Sequence, residues 1–165
     1  MKRAIEVLNE LTEKGILRSY AIGGAMGAAF YLEPVSTFDL DVFALFADDD
    51  SWTPLRSLYA ALEAMGFKAD ETARECVDIA GTPVQFLPVH NALLAEALEE
   101  ARCLEYDGVP VRVVGPEHLA AIAVQTGRAK DALRVRMFRE WDGFDEARFR
   151  SILAAHGLGG KDADG

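Results

Sequence analysis

The chain has 165 residues, half of them apolar, and a formal net charge of −10. This length can bury a core without disulfide or metal staples, and no apolar stretch approaches the roughly 20 residues that cross a bilayer. The acidic balance argues against sequence-independent nucleic-acid binding, because phosphate backbones are repelled; the usable positive charge gathers between Arg128 and Arg150. Cys76 and Cys103 show no metal-ligand spacing and read as two small buried thiols. His90, His118 and His156 are scattered, so zinc chemistry has no support in the sequence. The N-terminus, basic at Lys2 and Arg3 and then acidic at Glu6, Glu10 and Glu13, reads as an amphipathic helix rather than a signal peptide, which implies a cytoplasmic protein.

In chain order, residues 3–14 suit a helix with Ile5, Leu8 and Leu11 on one face, ended by Gly15. Ser19–Ile22 suits a strand, Gly23–Gly24 a break, and Ala25–Leu32 a small-residue helix stopped by Pro34. Phe38–Phe46 is β-prone, Asp48–Ser51 a capping loop, and Pro54–Met65 a helix closed by Gly66. Phe67–Glu71, Glu75–Ile79 and Val84–Leu87 read as short strands, with a hairpin turn at Gly81-Thr82-Pro83. Asn91 caps a helix to about Ala101, and Asp107–Gly108 joins the strands Cys103–Tyr106 and Val109–Val113. Pro116 opens one long helix reaching about Phe138, and Asp145–His156 is the last. The pattern predicts an α/β (α+β) fold: a mixed sheet covered by helices, in one domain over residues 1–156, with 157–165 as a flexible tail.

Thr37-Phe38-Asp39-Leu40-Asp41-Val42-Phe43 is the most informative segment. On a strand, Asp39 and Asp41 share a face about 6–7 Å apart at Cα, while Leu40 and Val42 point to the core. Adjacent carboxylates repel, and a divalent cation relieves the repulsion; magnesium suits carboxylate oxygens plus substrate phosphates. The other reading of the pair is an edge strand whose solvated aspartates discourage pairing. Ahead of it, Gly23 and Gly24 allow close backbone approach to a phosphate at a helix start, whereas Gly27 reads as helix packing. On the long helix, Leu119, Ile122, Thr126, Leu133 and Met137 form an apolar-leaning stripe, with Lys130 at its border and able to reach a phosphate. Arg128 and Arg134, with pairs of the Asp131–Arg134 type, read as a solvated face, as do Arg139, Arg148 and Arg150, and Glu96, Glu99 and Glu100. Trp52 and Trp141 read as core or anchoring aromatics.

The Gly23–Gly24 pair, a short helix ending near Tyr31, and Thr37-x-Asp39-x-Asp41-Val42 together resemble the DNA polymerase β-like nucleotidyltransferase superfamily. Within it the chain looks like small bacterial nucleotidyltransferase-like proteins related to toxins of abortive-infection toxin–antitoxin systems. Gly115-Pro116-Glu117-His118-Leu119 and Thr126-Gly127-Arg128-Ala129-Lys130-Asp131 are similar to that group's C-terminal helix. The resemblance covers roughly residues 15–135. It implies a nucleotidyltransferase-like fold with C-terminal helices, nucleotide binding by Gly23, Gly24, Thr37 and Lys130, and catalytic metal binding by Asp39 and Asp41. It also implies transfer of a nucleoside monophosphate, with magnesium, from a nucleoside triphosphate to a hydroxyl acceptor. Two departures stand out. Gln85 occupies the place of the third carboxylate, and an amide is neither a general base nor a good magnesium ligand; Asp78 or Glu75 could replace it if the hairpin register brings either over. Val35 stands where some relatives carry arginine. The alternative is therefore a catalytically impaired module of the same fold that binds a nucleotide or a protein partner.

Overall fold

The computed structural model describes residues 1–32, 37, 39–47, 54–68 and 76–160. The order is α1 (Lys2–Glu13), β1 (Leu17–Ile22), α2 (Gly24–Ala28), β2 (Leu40–Phe46), α3 (Pro54–Ala64), β3 (Cys76–Ile79), β4 (Thr82–Pro88), α4 (Ala92–Glu99), β5 (Arg102–Tyr106), β6 (Val109–Val113), α5 (Pro116–Thr126), α6 (Ala129–Glu140) and α7 (Glu146–Ala155). The strands form one six-stranded sheet in the order β3-β4-β2-β1-β6-β5. β1 runs antiparallel to β2, β2 parallel to β4, and β1 parallel to β6, while β3–β4 and β5–β6 are antiparallel hairpins. This is the mixed sheet covered by helices that the pattern predicts.

Alternation along β2 divides the molecule. Leu40, Val42, Ala44 and Phe46 face a core shared with Ile5, Leu8 and Leu11 of α1 and Leu58 and Leu62 of α3. Phe43 faces a second core built from α4, α5, α6 and α7. Each large side chain fully buried in these cores contributes about 1.5–3 kcal/mol. Arg112 ties the second layer to the sheet: its Nε donates to the Tyr20 carbonyl at 3.1 Å and its Nη2 to that of Leu98 at 2.7 Å.

Several expectations need correction. β2 lies inside the sheet between β4 and β1, so Asp41 is not an edge guard, and Asp39 lies just before the strand rather than on it. The first hairpin turns at Ala80 and Gly81, both at positive φ (54° and 82°), leaving Thr82 and Pro83 in β4; Asp78 Oδ1 accepts from Gly81 N at 2.8 Å and fixes the corner. The long helix breaks at Gly127, whose left-handed φ of 68° ends α5, and α6 starts afresh from Arg128. That break changes the helical phase, which is why Leu133, placed on the apolar stripe by spacing, is 61% exposed. Cys103 is exposed and Cys76 half-buried, not the two buried thiols expected. Phe67 and Lys68 lie outside any strand. Pro34, Val35, Phe38, Asp48–Ser51, Trp52, residues 69–75 including Glu75, and residues 161–165 fall outside the described residues. Leu158 is buried just past Gly157, and its N–H donates to the Leu153 carbonyl at 2.8 Å, closing α7 in a Schellman-like turn.

Candidate functional site

The site grows from the end of β1. Gly23 N donates to the Asp41 carbonyl at 2.9 Å, which carries the β1–β2 pairing into the turn. Gly24 then adopts φ 56°, and a Cβ there would overlap the Asp41 carboxylate; a Cβ on Gly23 would overlap the Phe43 ring. Each glycine is thus required by the side chain it covers, a close approach that no reading of the glycines alone reveals. Gly27 packs tightly, as expected: a Cβ at that position would fall 2.9 Å from the Ile22 carbonyl oxygen.

β2 and β4 are in register at Asp41–Gln85, Val42–Phe86 and Phe43–Leu87. Neighbours on parallel strands share a face, so Asp41 has Gln85 beside it and Phe43 has Leu87. These four residues and Gly24 line one wall of a cavity of about 570 Å³. The opposite wall comes from α5 and α6 and includes Leu119, Ile122, Arg128 and Arg134. Gln85 therefore stands directly beside Asp41 on the neighbouring parallel strand. Asp78 does not supply a carboxylate there: β3 lies on the far side of β4, and the Asp78 carboxylate is held by its own turn.

Asp39 sits just before β2 and is exposed; Thr37 Oγ1 donates to its Oδ1 at 2.6 Å. The Asp41 carboxyl is pushed above its ordinary range, first by burial and then by the negative charge of Asp39. Arg128, Arg134 and Lys130 pull in the other direction. Asp39 and Lys130 thus both act electrostatically on Asp41, although both are exposed and neither lines the cavity.

Arg134 is not on a solvated face, its side chain being 12% exposed, whereas Arg128 keeps a side chain 57% exposed while also lining the cavity. Asp131, 1% exposed, accepts from Arg128 Nε at 2.6 Å and from Arg134 Nη1 at 3.4 Å. The buried carboxylate aims both guanidinium groups at the cavity. Arg134 Nε is buried and has no hydrogen-bond partner, an orphaned cationic donor that an anionic oxygen would satisfy. The restart of α6 after Gly127 produces this arrangement. The Arg-x-x-Asp-x-x-Arg spacing from Arg128 to Arg134, one residue pair per helical turn, is the signal that could have disclosed it.

A second polar cluster lies between α4, α5 and α7. Glu96 accepts from His118 Nε2 at 3.2 Å and from His156 Nε2 at 2.7 Å. Arg148 Nη2 donates to Glu96 at 3.4 Å and to Glu100 at 2.5 Å. The residues read as scattered histidines and solvated charges converge here. Ligand atoms of Glu96, Glu100 and His118 fall within 4.8 Å of one another and could hold a metal ion, though each carboxylate already has its cationic partner. The hydrogen bond from His156, ahead of that from His118, lowers the proton affinity of Glu96. A depressed folded carboxylate contributes stability above its unfolded value and loses it as pH falls through the folded value. Wild type and Glu96→Gln are therefore expected to differ in thermal midpoint near neutrality and to converge below pH 4.5, the ordinary value for this group. Calorimetric melts across that range check it; a gap that stays constant with pH contradicts the role given to Glu96.

No protein-family model and no curated protein sequence matches the chain. Solved structures do. The chain is similar to the antibiotic-resistance factor ANT(2″)-Ia in its solution structure, at 17% identity and a TM-score of 0.51, covering 97% of this chain and 88% of that one. The crystal structure of ANT(2″)-Ia with adenylyl-2″-tobramycin matches at 17% identity and a TM-score of 0.53, over 98% and 94%. An antigenic nucleotidyltransferase-like protein from Paracoccidioides brasiliensis matches at 14% identity and a TM-score of 0.57, over 94% and 86%. The fold is thus nucleotidyltransferase-like. Among the described residues, no helix is long and apolar enough to cross a membrane.

Proposed function

We propose that the chain is a nucleotidyltransferase that moves a nucleoside monophosphate from a nucleoside triphosphate to a hydroxyl acceptor. The observation that carries this reading is the cavity in which Asp41, raised in proton affinity by burial and by Asp39, faces Arg128 and Arg134, the latter with an orphaned N–H. Asp41 on the sheet side, with Asp39 two residues away outside the lining, and the cationic donors Arg128 and Arg134 across the cavity match a metal–triphosphate complex, whose two components carry the opposite charges. The donor set fits magnesium: Asp39 and Asp41 would hold it, and its positive charge would relieve the mutual repulsion seen at Asp41. When bound, such an ion neutralises triphosphate charge and polarises the phosphoryl oxygens.

The chain's own groups then divide the remaining work. Arg128 and Arg134, held by Asp131, take phosphate oxygens; Lys130 adds long-range positive charge; Gly24 lies against the Asp41 carboxylate, Gly23 against Phe43, and Thr37 holds Asp39. The acceptor hydroxyl oxygen attacks the α-phosphorus and gives up its proton to solvent, the bond from the α-phosphorus to the bridging oxygen of the β-phosphate breaks, and pyrophosphate leaves. The expected test is transfer from an α-labelled triphosphate to RNA, protein and small-molecule fractions. Wild type should label one of them and Asp39→Asn should not, at unchanged fold by circular dichroism; equal labelling by both would remove Asp39 from the reaction.

A second reading is favoured by Gln85. Its pairing with Asp41 leaves β4 without a carboxylate to accept the hydroxyl proton. The same fold would then bind a nucleotide without turnover and act through a protein partner, in the manner of a toxin–antitoxin component. Gln85→Asp separates the two: it should raise magnesium affinity in either case, and it should create label transfer only where the wild type has none. Efficient transfer by the wild-type chain rejects the impaired reading.

A further inference from the structure

The cavity continues along the sheet beyond Phe43 and Leu87 to His90, Asn91 and Gln125. From Gln85 to Val89 the chain advances about 13 Å at strand rise, an extent of the same order as the separation of base and phosphates in an extended nucleotide. Between the charged end and this polar end, Leu94, Leu119 and Ile122 make the lining apolar, which suits a planar ring.

The polar end has one self-consistent hydrogen-bond direction, set by two backbone atoms. Leu94 N is a donor, so the Asn91 atom 2.9 Å from it must be Oδ1. The other Asn91 side-chain atom is then the amide nitrogen, a donor, and its partner at 3.2 Å on Gln125 must be Oε1. The Pro88 carbonyl is an acceptor, so His90 Nδ1, 3.1 Å away, carries the proton. His90 Nε2 is left as an acceptor, which agrees with Asn91 Nδ2 lying 3.4 Å from it. Gln125 thus turns its Oε1 toward Asn91, which sets which way the amide points. Its Nε2 hydrogens have no partner among the described residues, and Gln125 lines the cavity. What this end offers a ligand is the Gln125 amide donor, on an exposed side chain oriented by that one hydrogen bond.

We infer that Gln125, oriented by Asn91, reads the nucleobase and selects bases with a carbonyl on the edge where others carry an amine. Guanine and uracil present an oxygen there; adenine and cytosine present an N–H₂ group, which would leave two donors facing each other. This inference rests on the nucleotide-binding reading of the cavity and adds its base preference. Asn91 is a positioning residue in it, because it acts through Gln125.

The test is calorimetric binding of GTP, UTP, ATP and CTP, each with magnesium, to the wild type, Gln125→Glu and Gln125→Met. Wild type should bind GTP and UTP about tenfold more tightly than ATP and CTP, the effect of one hydrogen bond. In Gln125→Glu one carboxylate oxygen still accepts from Asn91 and the other presents an acceptor, so the ratio should invert toward ATP and CTP. The ratio is the readout, since the added negative charge weakens all four alike. Gln125→Met, of similar length with no donor, should bring the ratio to about one. The same ratio in all three proteins, or no preference in the wild type, overturns the base assignment while leaving the phosphate site standing. Absence of magnesium-dependent binding of any triphosphate to the wild type overturns the nucleotide reading and the base preference together.

Discussion

Replacing Asp41 by asparagine is expected to raise the thermal midpoint at pH 7 while lowering transfer about a thousandfold or more. The stability half follows from the sign of its shift. Burial, and then the charge of Asp39, raise the folded proton affinity of Asp41 above the ordinary value of 3.8. Such a group contributes stability below its unfolded value, and that contribution is lost as pH rises through the raised folded value. At pH 7, above the ordinary value of 3.8, the environment that raises this carboxyl is therefore a cost to the fold, and asparagine removes the titrating group at nearly constant shape. Arg128 and Arg134 keep Asp131 as their direct partner, so the substitution strands no buried cation. The activity half follows from the loss of the anionic ligand opposite those arginines: several kcal/mol of charge stabilisation correspond to at least about a thousandfold in rate. Scanning calorimetry alongside label transfer checks both. A residue kept for folding would show the reverse pattern, a lower midpoint with transfer intact.

Gly24→Ala is expected to be among the most damaging single substitutions in the chain, lowering stability by about 2–5 kcal/mol. Two costs add. At φ 56° an alanine adopts the left-handed region, at about 1–2 kcal/mol. Its methyl group also overlaps the Asp41 carboxylate, and overpacking of that kind costs about 1–3 kcal/mol. In a chain of this length the loss corresponds to a drop in midpoint of roughly 5–15 °C. A double-mutant cycle separates the two costs. In an Asp41→Ala background the carboxylate is gone, so Gly24→Ala should cost less there than in the wild type, the remainder being backbone strain and the 2.9 Å approach to the Cβ of residue 41. Strict additivity would mean that the two residues do not press on each other.

How far the sequence discloses this molecule depends on the range of the information. Local signals worked where one residue determines one conformation: Asn91 caps α4, Asp107–Gly108 turns the β5–β6 hairpin at positive φ, and Gly15 ends α1. The alternation Asp39-Leu40-Asp41-Val42 correctly sent Leu40 and Val42 to the core. What local pattern does not carry is pairing order. The position of β2 inside the sheet, and with it the rejection of an edge strand, depends on β4 lying parallel beside it. The adjacency of Gln85 to Asp41 is likewise a register fact, though the sequence position of Gln85 drew attention to it. The long helix was misjudged because apolar spacing continues through Gly127, while glycine's freedom at φ 68° redirects the chain there. That single turn carries Arg128 and Arg134 to the cavity and exposes Leu133. The roles of Gln125 and His90 stayed hidden for a different reason. Amide and imidazole groups are uninformative in sequence until partners fix which atom donates, and those partners lie up to 34 residues away.

The central claim is that Asp39, Asp41, Arg128 and Arg134 form one site for a magnesium–triphosphate complex. The most direct test is calorimetric titration of a mixture of the four nucleoside triphosphates into the wild-type chain, with magnesium and then with EDTA, repeated on Asp39→Asn. The account predicts saturable binding that requires magnesium and disappears in the variant. Binding that is equal with EDTA, or equal in Asp39→Asn, or absent under every condition, would contradict it.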